Sequence, residues 1–213
     1  MKKGQTAAAI LLLSLALNGC SGGTGKTAFA PTESSLYVTK EGTVTSADVE
    51  PYENDYYSAD ELKAYAEEML TAFESGNQSG DSDKKAEITE CTVKDGTAKL
   101  LITFPDAEEY IRFAEEYPDT ESGIQVESLD VVSVADGVEK GYIVGYTFYK
   151  AGDENTEVSA VDITKQKKLY VACVKGSAKI QTDGAVQYVS EGVTLNGDVA
   201  ETPAGETSYI IFK

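Results

Sequence analysis

The stretch SADELKAYAEEMLTAFESG, residues 58–76, decides the fold of this chain, because it predicts a long amphipathic helix that must cover another element. Ser58 is a good N-cap residue, and Glu61 three positions later completes a capping box. Gly76 lies where a glycine closes a helix. Five apolar side chains recur at helical spacing, a pattern more typical of core packing than of a ligand-binding box. These side chains are Leu62, Tyr65, Ala66, Met69 and Phe73.

A second helix is expected over residues 106–117, with Asp106 as its cap, Glu109 three positions later and Pro118 at its end. Between the two helices, strand-like residues flank Asp95-Gly96, which is a strong hairpin turn. The chain shows none of the helix–strand alternation that is typical of parallel sheets. We therefore expect an α+β fold, in which two helices pack on one face of an antiparallel, hairpin-rich sheet.

Strand patterns fill most of the remaining sequence. Residues 35–44 predict a hairpin, and residues 123–133 and 141–150 predict two strands around the turn Asp136-Gly137. A polar break follows at residues 151–157, and the pattern after it is all β. The terminal strand is expected to be paired, because its apolar side chains would be costly to expose. The strands expected after the break cover residues 158–164, 169–174, 178–180, 186–189 and 209–212.

The first twenty residues carry a different signal. Lys2 and Lys3 precede an apolar run over residues 7–17, which is too short to span a bilayer as a helix. Leu17-Asn18-Gly19-Cys20 then follows, and the segment resembles a bacterial lipoprotein signal peptide with this tetrapeptide as its lipobox. The resemblance implies that Cys20 becomes the lipidated N-terminus and anchors the protein to the outside of the cell membrane. The alternative is an ordinary secretory signal with a chance cysteine.

These patterns divide the chain into four parts. Residues 1–19 form the signal peptide, and residues 20–34 form a flexible tether rich in small polar residues. Residues 35–150 form an α+β domain, and residues 151–213 form a β-rich C-terminal part that packs on it.

Several stretches of the mature chain are similar to uncharacterised lipoproteins of anaerobic Gram-positive bacteria. The stretches are residues 36–44, residues 56–62, Asp183 to Ser190 and residues 209–211. The resemblance implies a cell-surface lipoprotein. It implies no activity and no site residues, because these motifs are not chemically specific.

The charge of the chain excludes some classes of partner. Residues 1–19 carry two lysines and no acidic residue, so the rest has 16 basic and 36 acidic residues and a net charge of −20. Such a chain is not expected to bind nucleic acid, which needs clustered Lys and Arg. The acidity indicates a solvated, self-repelling surface, with cation binding as the less common alternative.

The absence of histidine excludes much catalytic and metal chemistry. With no His in the chain, there can be no Ser-His-Asp triad, no Cys-His pair and no His-ligated zinc. Asp81 and Asp83 suggest a calcium loop, but an EF-hand needs Gly and Glu where Ala86 and Thr92 stand. We therefore assign no catalytic residue, no metal ligand and no cofactor.

Cys91 and Cys173 remain once Cys20 is taken for lipidation. An extracytoplasmic location permits a disulfide between them, whereas two separate buried thiols fit the sequence equally well.

Three functional hypotheses remain. The first is a non-catalytic module that binds an envelope ligand or protein partner through Tyr52, Tyr56 and Tyr57, which are interleaved with acidic residues. The alternative role of these tyrosines is simple packing. The second is a hydrolase of cell-wall glycan or polysaccharide, which needs two carboxyl groups facing each other in a cleft. The chain has no Trp for sugar stacking. The third, calcium-assisted adhesion, depends on charge alone.

Overall fold

The structure is a computed structural model, and it describes residues 29–52, 58–76 and 85–213. The described chain is a mixed α/β protein that is mostly β, with 44% of it in strands and 23% in helices. The four helices are α1 (Ala59–Gly76), α2 (Ala107–Glu116), α3 (Val134–Glu139) and α4 (Ala160–Thr164). The first six strands are β1 (Ser35–Val38), β2 (Val44–Pro51), β3 (Glu87–Lys94), β4 (Thr97–Phe104), β5 (Gln125–Ser133) and β6 (Phe148–Lys150). The other six are β7 (Asp153–Val158), β8 (Tyr170–Thr182), β9 (Val186–Ser190), β10 (Thr194–Asn196), β11 (Val199–Thr202) and β12 (Thr207–Phe212).

The twelve described strands form one continuous sheet that β8 divides into two halves. In the first half, β3, β4, β2, β1 and the end of β8 lie side by side, followed by β11 and β10. In the second half, the start of β8 lies between β5 and β12, and β9, β6 and β7 follow. Among these pairs, β1 with β8 is the parallel one. The hairpin β1–β2 and the hairpin β3–β4 confirm the sequence prediction.

Gly176 is the point at which β8 passes from one half of the sheet to the other. Residues 170–177 pair with β5 and β12, whereas residues 178–182 pair with β1 and β11. The φ angle of Gly176 is +118°, and a Cβ there would lie 2.0 Å from the carbonyl oxygen of Gln125. A glycine is therefore required, both for the backbone conformation and for the close approach of β5.

Both predicted long helices are present with their predicted caps. The Ser58 hydroxyl accepts a hydrogen bond from the Glu61 amide at 3.1 Å and donates one to the Glu61 carboxylate at 3.1 Å. At α2, the Asp106 carboxylate accepts from the Glu109 amide at 2.8 Å. These bonds satisfy amide groups that a helix N-terminus otherwise leaves free.

The larger of two hydrophobic clusters joins α1 and α2 to the sheet and includes residues of both halves, such as Ile102 of β4 and Ile210 of β12. Phe73 of α1 meets Phe113 of α2 edge to face at 5.3 Å, and Phe113 lies 5.1 Å from Phe104 of β4. Phe73 and Phe104 are at most 1% exposed. Burying each such ring stabilises the fold by about 1.5–3 kcal/mol. The second cluster joins α3 and α4 to the second half of the sheet.

Of the two strands predicted around a turn at Asp136-Gly137, the first is confirmed as β5, and the second is present only as the short β6. The predicted turn is wrong, because α3 occupies this position. The Ser133 hydroxyl accepts from the Asp136 amide at 3.1 Å and caps the helix. Gly137 lies against β8, where a Cβ would come within 2.6 Å of the Val171 side chain. The Asp-Gly pair thus permits close packing of a short helix rather than a hairpin turn.

The prediction that the C-terminal part is all β is also wrong. Residues 160–164 form α4, with the Ser159 hydroxyl accepting from the Val161 amide at 3.2 Å and Ile163 fully buried. The expected polar break is instead strand β7, which pairs with β6. The strands expected at residues 169–174 and 178–180 form one strand, β8. The short segments at residues 151–157 and 160–164 have weak local preferences, and they take the structure that their tertiary neighbours impose.

The apolar terminal strand β12 is paired on both sides, by β8 and β9, as expected. In the C-terminal part, β8 also pairs with β1 and β5 of the preceding part. The division of the chain near residue 150 stays a prediction. Across the helices described here, none is both long and apolar enough to cross a membrane.

Candidate ligand-binding site

Strand β2 presents two acidic side chains toward the interior. Asp48 pairs with Leu100 of β4, and Glu50 pairs with Ala98. Directly paired residues of antiparallel strands point to the same face of a sheet. Because Leu100 and Ala98 are buried under the helices, the carboxylates lie on the face that the helices cover.

Two adjoining cavities of about 480 and 400 Å³ lie over this face. Both are lined by Asp48, Phe113, Tyr117, Pro118 and Asp119, and we call the two together the acidic cleft. Of the residues that the structure describes along its walls, none is a lysine or an arginine. Other lining residues include Ser46 and Glu50 from β2, Tyr52 directly after it, Leu62, Tyr65 and Met69 from α1, and Tyr110 and Glu116 from α2.

Asp48 is the central charged group of the acidic cleft. Burial, together with the negative charges of Asp119 and Glu50, raises the pKa of its carboxyl from 3.8 to about 7. Within the part of the chain that the structure describes, no hydrogen-bond donor reaches this carboxyl group. At neutral pH it therefore exchanges protons readily and carries a charge that no neighbouring group compensates.

The position of Asp119 is fixed by the turn that follows α2. One oxygen of its carboxylate accepts hydrogen bonds from the amides of Glu121 at 2.9 Å and Ser122 at 3.2 Å. Glu50 is exposed to the same negative electrostatic field. Its pKa is raised by burial and by the charges of Asp119 and Glu121. The chain thus holds three carboxyl groups against their mutual repulsion.

Tyr110 supplies a polar group at the wall of the cleft. Its side chain is 5% exposed, and its hydroxyl oxygen is not one of the fully buried, unpaired polar atoms of the described residues. No hydrogen bond joins this hydroxyl to another described residue, so it reaches the open space of the cavity that Tyr110 lines. Burial raises the pKa of this phenol, and the charges of Asp48 and Asp119 raise it further. The hydroxyl is therefore neutral and available as a donor or an acceptor.

Aromatic rings form the other wall. The rings of Phe113 and Tyr117 lie 5.0 Å apart, and Tyr65 projects from α1. Tyr65 is 62% exposed, so its predicted place in the apolar core is wrong. Aromatic faces attract cations, and their edges and faces pack against alkyl groups.

The structure describes only one of the residues that the sequence analysis proposed for ligand binding or lipidation. Tyr52 lines the acidic cleft, and its amide donates to the Gly96 carbonyl at 2.7 Å, which fixes the end of β2. Tyr56, Tyr57 and the lipidation residue Cys20 lie outside the described residues. The role of these tyrosines in binding stays a prediction.

Both remaining cysteines are free thiols. The Cys91 thiol donates to the Ala59 carbonyl at 3.5 Å, and its pKa is raised by burial. Burial, together with the negative charge of Asp130, raises the pKa of Cys173 to about 11. Neither environment activates a thiolate nucleophile.

The described residues include no group of three or more His, Cys, Asp or Glu side chains arranged to hold a metal ion. Asp81 and Asp83 of the failed calcium motif lie outside the described residues.

The residues that the sequence analysis missed are Asp48, Glu50, Tyr110 and Asp119. The signal available was the alternation along β2, where Val44 and then Asp48 and Glu50 occupy every second position of one strand face. Acidic residues continuing an apolar face indicate a cavity or a covering element above it. The partner residues from α2 and its turn are distant in sequence and gave no comparable signal.

Comparison with known proteins gives no match: neither a family model, nor a curated protein sequence, nor a solved structure is significantly similar to this chain. The fold and the cleft define the class as a mixed α/β protein with an acidic, aromatic-walled cleft beside the sheet.

Proposed function

We propose that this protein is a lipid-anchored, extracytoplasmic binding protein that takes a ligand into the acidic cleft without catalysing a reaction. The observation that carries the proposal is the cleft itself, in which an uncompensated Asp48 and the largely buried Tyr110 line a cavity of about 400 Å³. Volumes of this size are typical of small-molecule sites, as are mostly apolar walls with a few polar groups.

The packing of the helices supports this role. We infer that α1 and α2 lie on one face of the sheet, with α1 over β3 and α2 over β4 and β5, and leave the cleft between them. Their rings, Phe73 and Phe113, are locked edge to face, so the walls are preformed. A preformed site loses little conformational entropy when a ligand binds.

The membrane location rests on the sequence of residues 1–20. A lipid on Cys20 and a tether over residues 20–34 would hold the acidic domain away from anionic lipid. We expect Cys20→Ser to release the protein from the membrane fraction. Mass spectrometry of the N-terminal peptide should find two or more acyl chains on the wild type only. An unmodified Cys20 in membrane-bound protein would contradict the anchor.

Ligand binding is tested by native mass spectrometry of the full chain, purified in detergent after incubation with cell-envelope extract. We expect a discrete retained mass that Tyr65→Ala reduces, because Tyr65 lines the cleft and is mostly exposed. Tyr146→Ala is the matched control, since Tyr146 is 45% exposed and lies beside Tyr209 of β12, away from the cleft. A retained mass that both variants keep would place the site elsewhere, and no retained mass would contradict the proposal.

A carboxylate-dependent glycan hydrolase is the second candidate function. It is favoured by one observation, the pKa of about 7 at Asp48 beside two further carboxyl groups, which suits a general acid. Release of reducing sugar from envelope polysaccharide, abolished by Asp48→Asn, would establish it. Binding without any hydrolysis would leave the first proposal in place.

A further inference from the structure

We propose that the acidic cleft binds the primary ammonium group of a small organic amine, with Asp48 as the counter-ion, the Tyr110 hydroxyl as a second hydrogen-bond partner and the aromatic wall around the carbon chain. This inference rests on the proposed function and adds the chemical class of the ligand.

The charge of the cleft requires a cation. Asp48 and Glu50 project from β2 toward Asp119, and none of the described residues that line the cleft is basic. Carboxylates at this proximity in a partly buried site repel one another. A bound cation replaces that repulsion with attraction, so the cleft discriminates strongly against anions and against neutral ligands.

The unpartnered polar groups select the kind of cation. The Asp48 carboxylate and the Tyr110 hydroxyl are both able to accept N–H hydrogen bonds, and neither has a donor in the described chain. A primary ammonium group carries three such donors, whereas a quaternary ammonium group carries none. A metal ion is disfavoured, because no group of three candidate ligands converges in the described residues.

The apolar part of the cleft selects the rest of the ligand. Phe113, Tyr117 and the exposed Tyr65 supply ring surfaces, and Met69 supplies an adaptable thioether. Rings beside a carboxylate favour a cation that carries an alkyl chain over a fully hydrated ion.

The same chemistry is built into this protein at a second place, where the chain supplies its own ammonium group. On β5, the carboxylate of Asp130 accepts hydrogen bonds from the Lys140 ammonium and from the Tyr142 hydroxyl at 2.8 Å. The acidic cleft has the aspartate and the tyrosine of this trio. The ligand that completes it is an ammonium group.

Binding of a cation to Asp48 should displace a proton below about pH 7. At about pH 6 the free carboxyl group is mostly protonated, and it must ionise to pair with the ammonium group. We expect the release of about one proton per ligand. The titratable groups that line the cleft together with Asp48 are Glu50, Tyr52, Tyr65, Tyr110, Glu115, Glu116, Tyr117, Asp119 and Glu127.

The experiment is isothermal titration of the full chain in detergent with three probes of equal chain length, namely hexylamine, hexan-1-ol and hexyltrimethylammonium. We expect hexylamine to bind at least about tenfold more tightly than either of the other two. Asp48→Asn should weaken hexylamine about tenfold or more, and Tyr110→Phe about fivefold. Asp130→Asn is the matched control and should leave the affinity unchanged, because Lys140 already fills that trio.

Titration at about pH 6 in two buffers of different ionisation enthalpy measures the proton release. Equal affinity for hexylamine and hexan-1-ol, sensitive to Tyr65→Ala, would show that the cleft binds ligands of another class, and the proposed function would survive. Preference for hexyltrimethylammonium would overturn the role of Tyr110. Absence of hexylamine binding would overturn the inference, even if native mass spectrometry finds a ligand retained from the envelope extract.

Discussion

Asp48 and Asp130 are two partly buried aspartates on strands of the two halves of the sheet. Asp48 is buried more deeply, and the partners of the two carboxyl groups differ. At Asp130, burial would raise the carboxyl pKa, but hydrogen bonds from Lys140 and Tyr142 outweigh it, and the pKa is lowered. At Asp48, burial and neighbouring acids raise the pKa to about 7, and no described group compensates. The second half of the sheet satisfies its buried charge internally, whereas the first half does not.

We propose that this difference separates a structural aspartate from one that awaits a ligand. A partnered carboxylate stabilises the folded state, and an unpartnered one destabilises it at neutral pH. Folded proteins retain such unfavourable groups mainly at functional sites. The comparison therefore locates the candidate site without any similarity to a known protein.

The largest expected effect tests whether the two halves are one cooperative unit, since β8 runs through both. Gly176→Ala places a Cβ 2.0 Å from the Gln125 carbonyl oxygen at a φ of +118°. We expect a loss of about 3–5 kcal/mol in the free energy of unfolding. Urea denaturation followed by circular dichroism measures the loss, and hydrogen exchange shows whether β4 and β12 lose protection together.

Gly197→Ala is the matched control. Its φ is +66°, but no atom lies within 4 Å of the position of an added Cβ. We expect a loss of about 1 kcal/mol, from backbone conformation alone. Equal losses for the two variants would show that β5 does not closely approach β8. Loss of protection in β12 alone would show that the two halves unfold independently.

The second-largest expected effect is on the pH dependence of stability, and it has opposite signs for Asp48 in the first half of the sheet and Asp130 in the second. Asp48 has a folded pKa of about 7 against an unfolded value near 3.8, so the folded state binds more protons between these values. The free energy of unfolding therefore falls as pH rises from about 4 to about 7. Asp48→Asn should remove this slope and stabilise the protein by about 1–3 kcal/mol at about pH 8, by less at about pH 5 and hardly at all below about pH 4.

Asp130→Asn should destabilise instead. Its lowered pKa means that its contribution is present above the unfolded pKa and is lost as pH falls through the folded pKa. The Asp130 side chain is 37% exposed, so solvent screens the pair and we expect a loss of about 1 kcal/mol at neutral pH. Urea denaturation across this pH range measures both variants. Stabilisation by both would show that Asp130 is no better compensated than Asp48.

The sequence predicts those parts of the fold that depend on interactions between residues close together in the chain. The capping boxes and the turn at Asp95-Gly96 are local, and α1, α2 and the hairpin β3–β4 were therefore predictable. At Gly137 the deciding contact is with Val171 of β8, which is distant in the chain, and the local Asp-Gly pattern gave the wrong structure. The cleft has the same property, because Asp48 and Tyr110 meet only through the packing of α2 on the sheet.

The smallest effect compares two tyrosine hydroxyls. Tyr142 donates to Asp130 at 2.8 Å, so Tyr142→Phe removes a hydrogen bond to a charged acceptor and should cost about 1–1.5 kcal/mol in the free energy of unfolding. Tyr110 has no partner among the residues described, so Tyr110→Phe removes no hydrogen bond, and we expect a change within about 0.5 kcal/mol. Urea denaturation at neutral pH resolves the two. A cost at Tyr110 equal to that at Tyr142 would mean that the hydroxyl already has a partner within the folded chain, and the cleft would then lack the free group that an ammonium ligand needs.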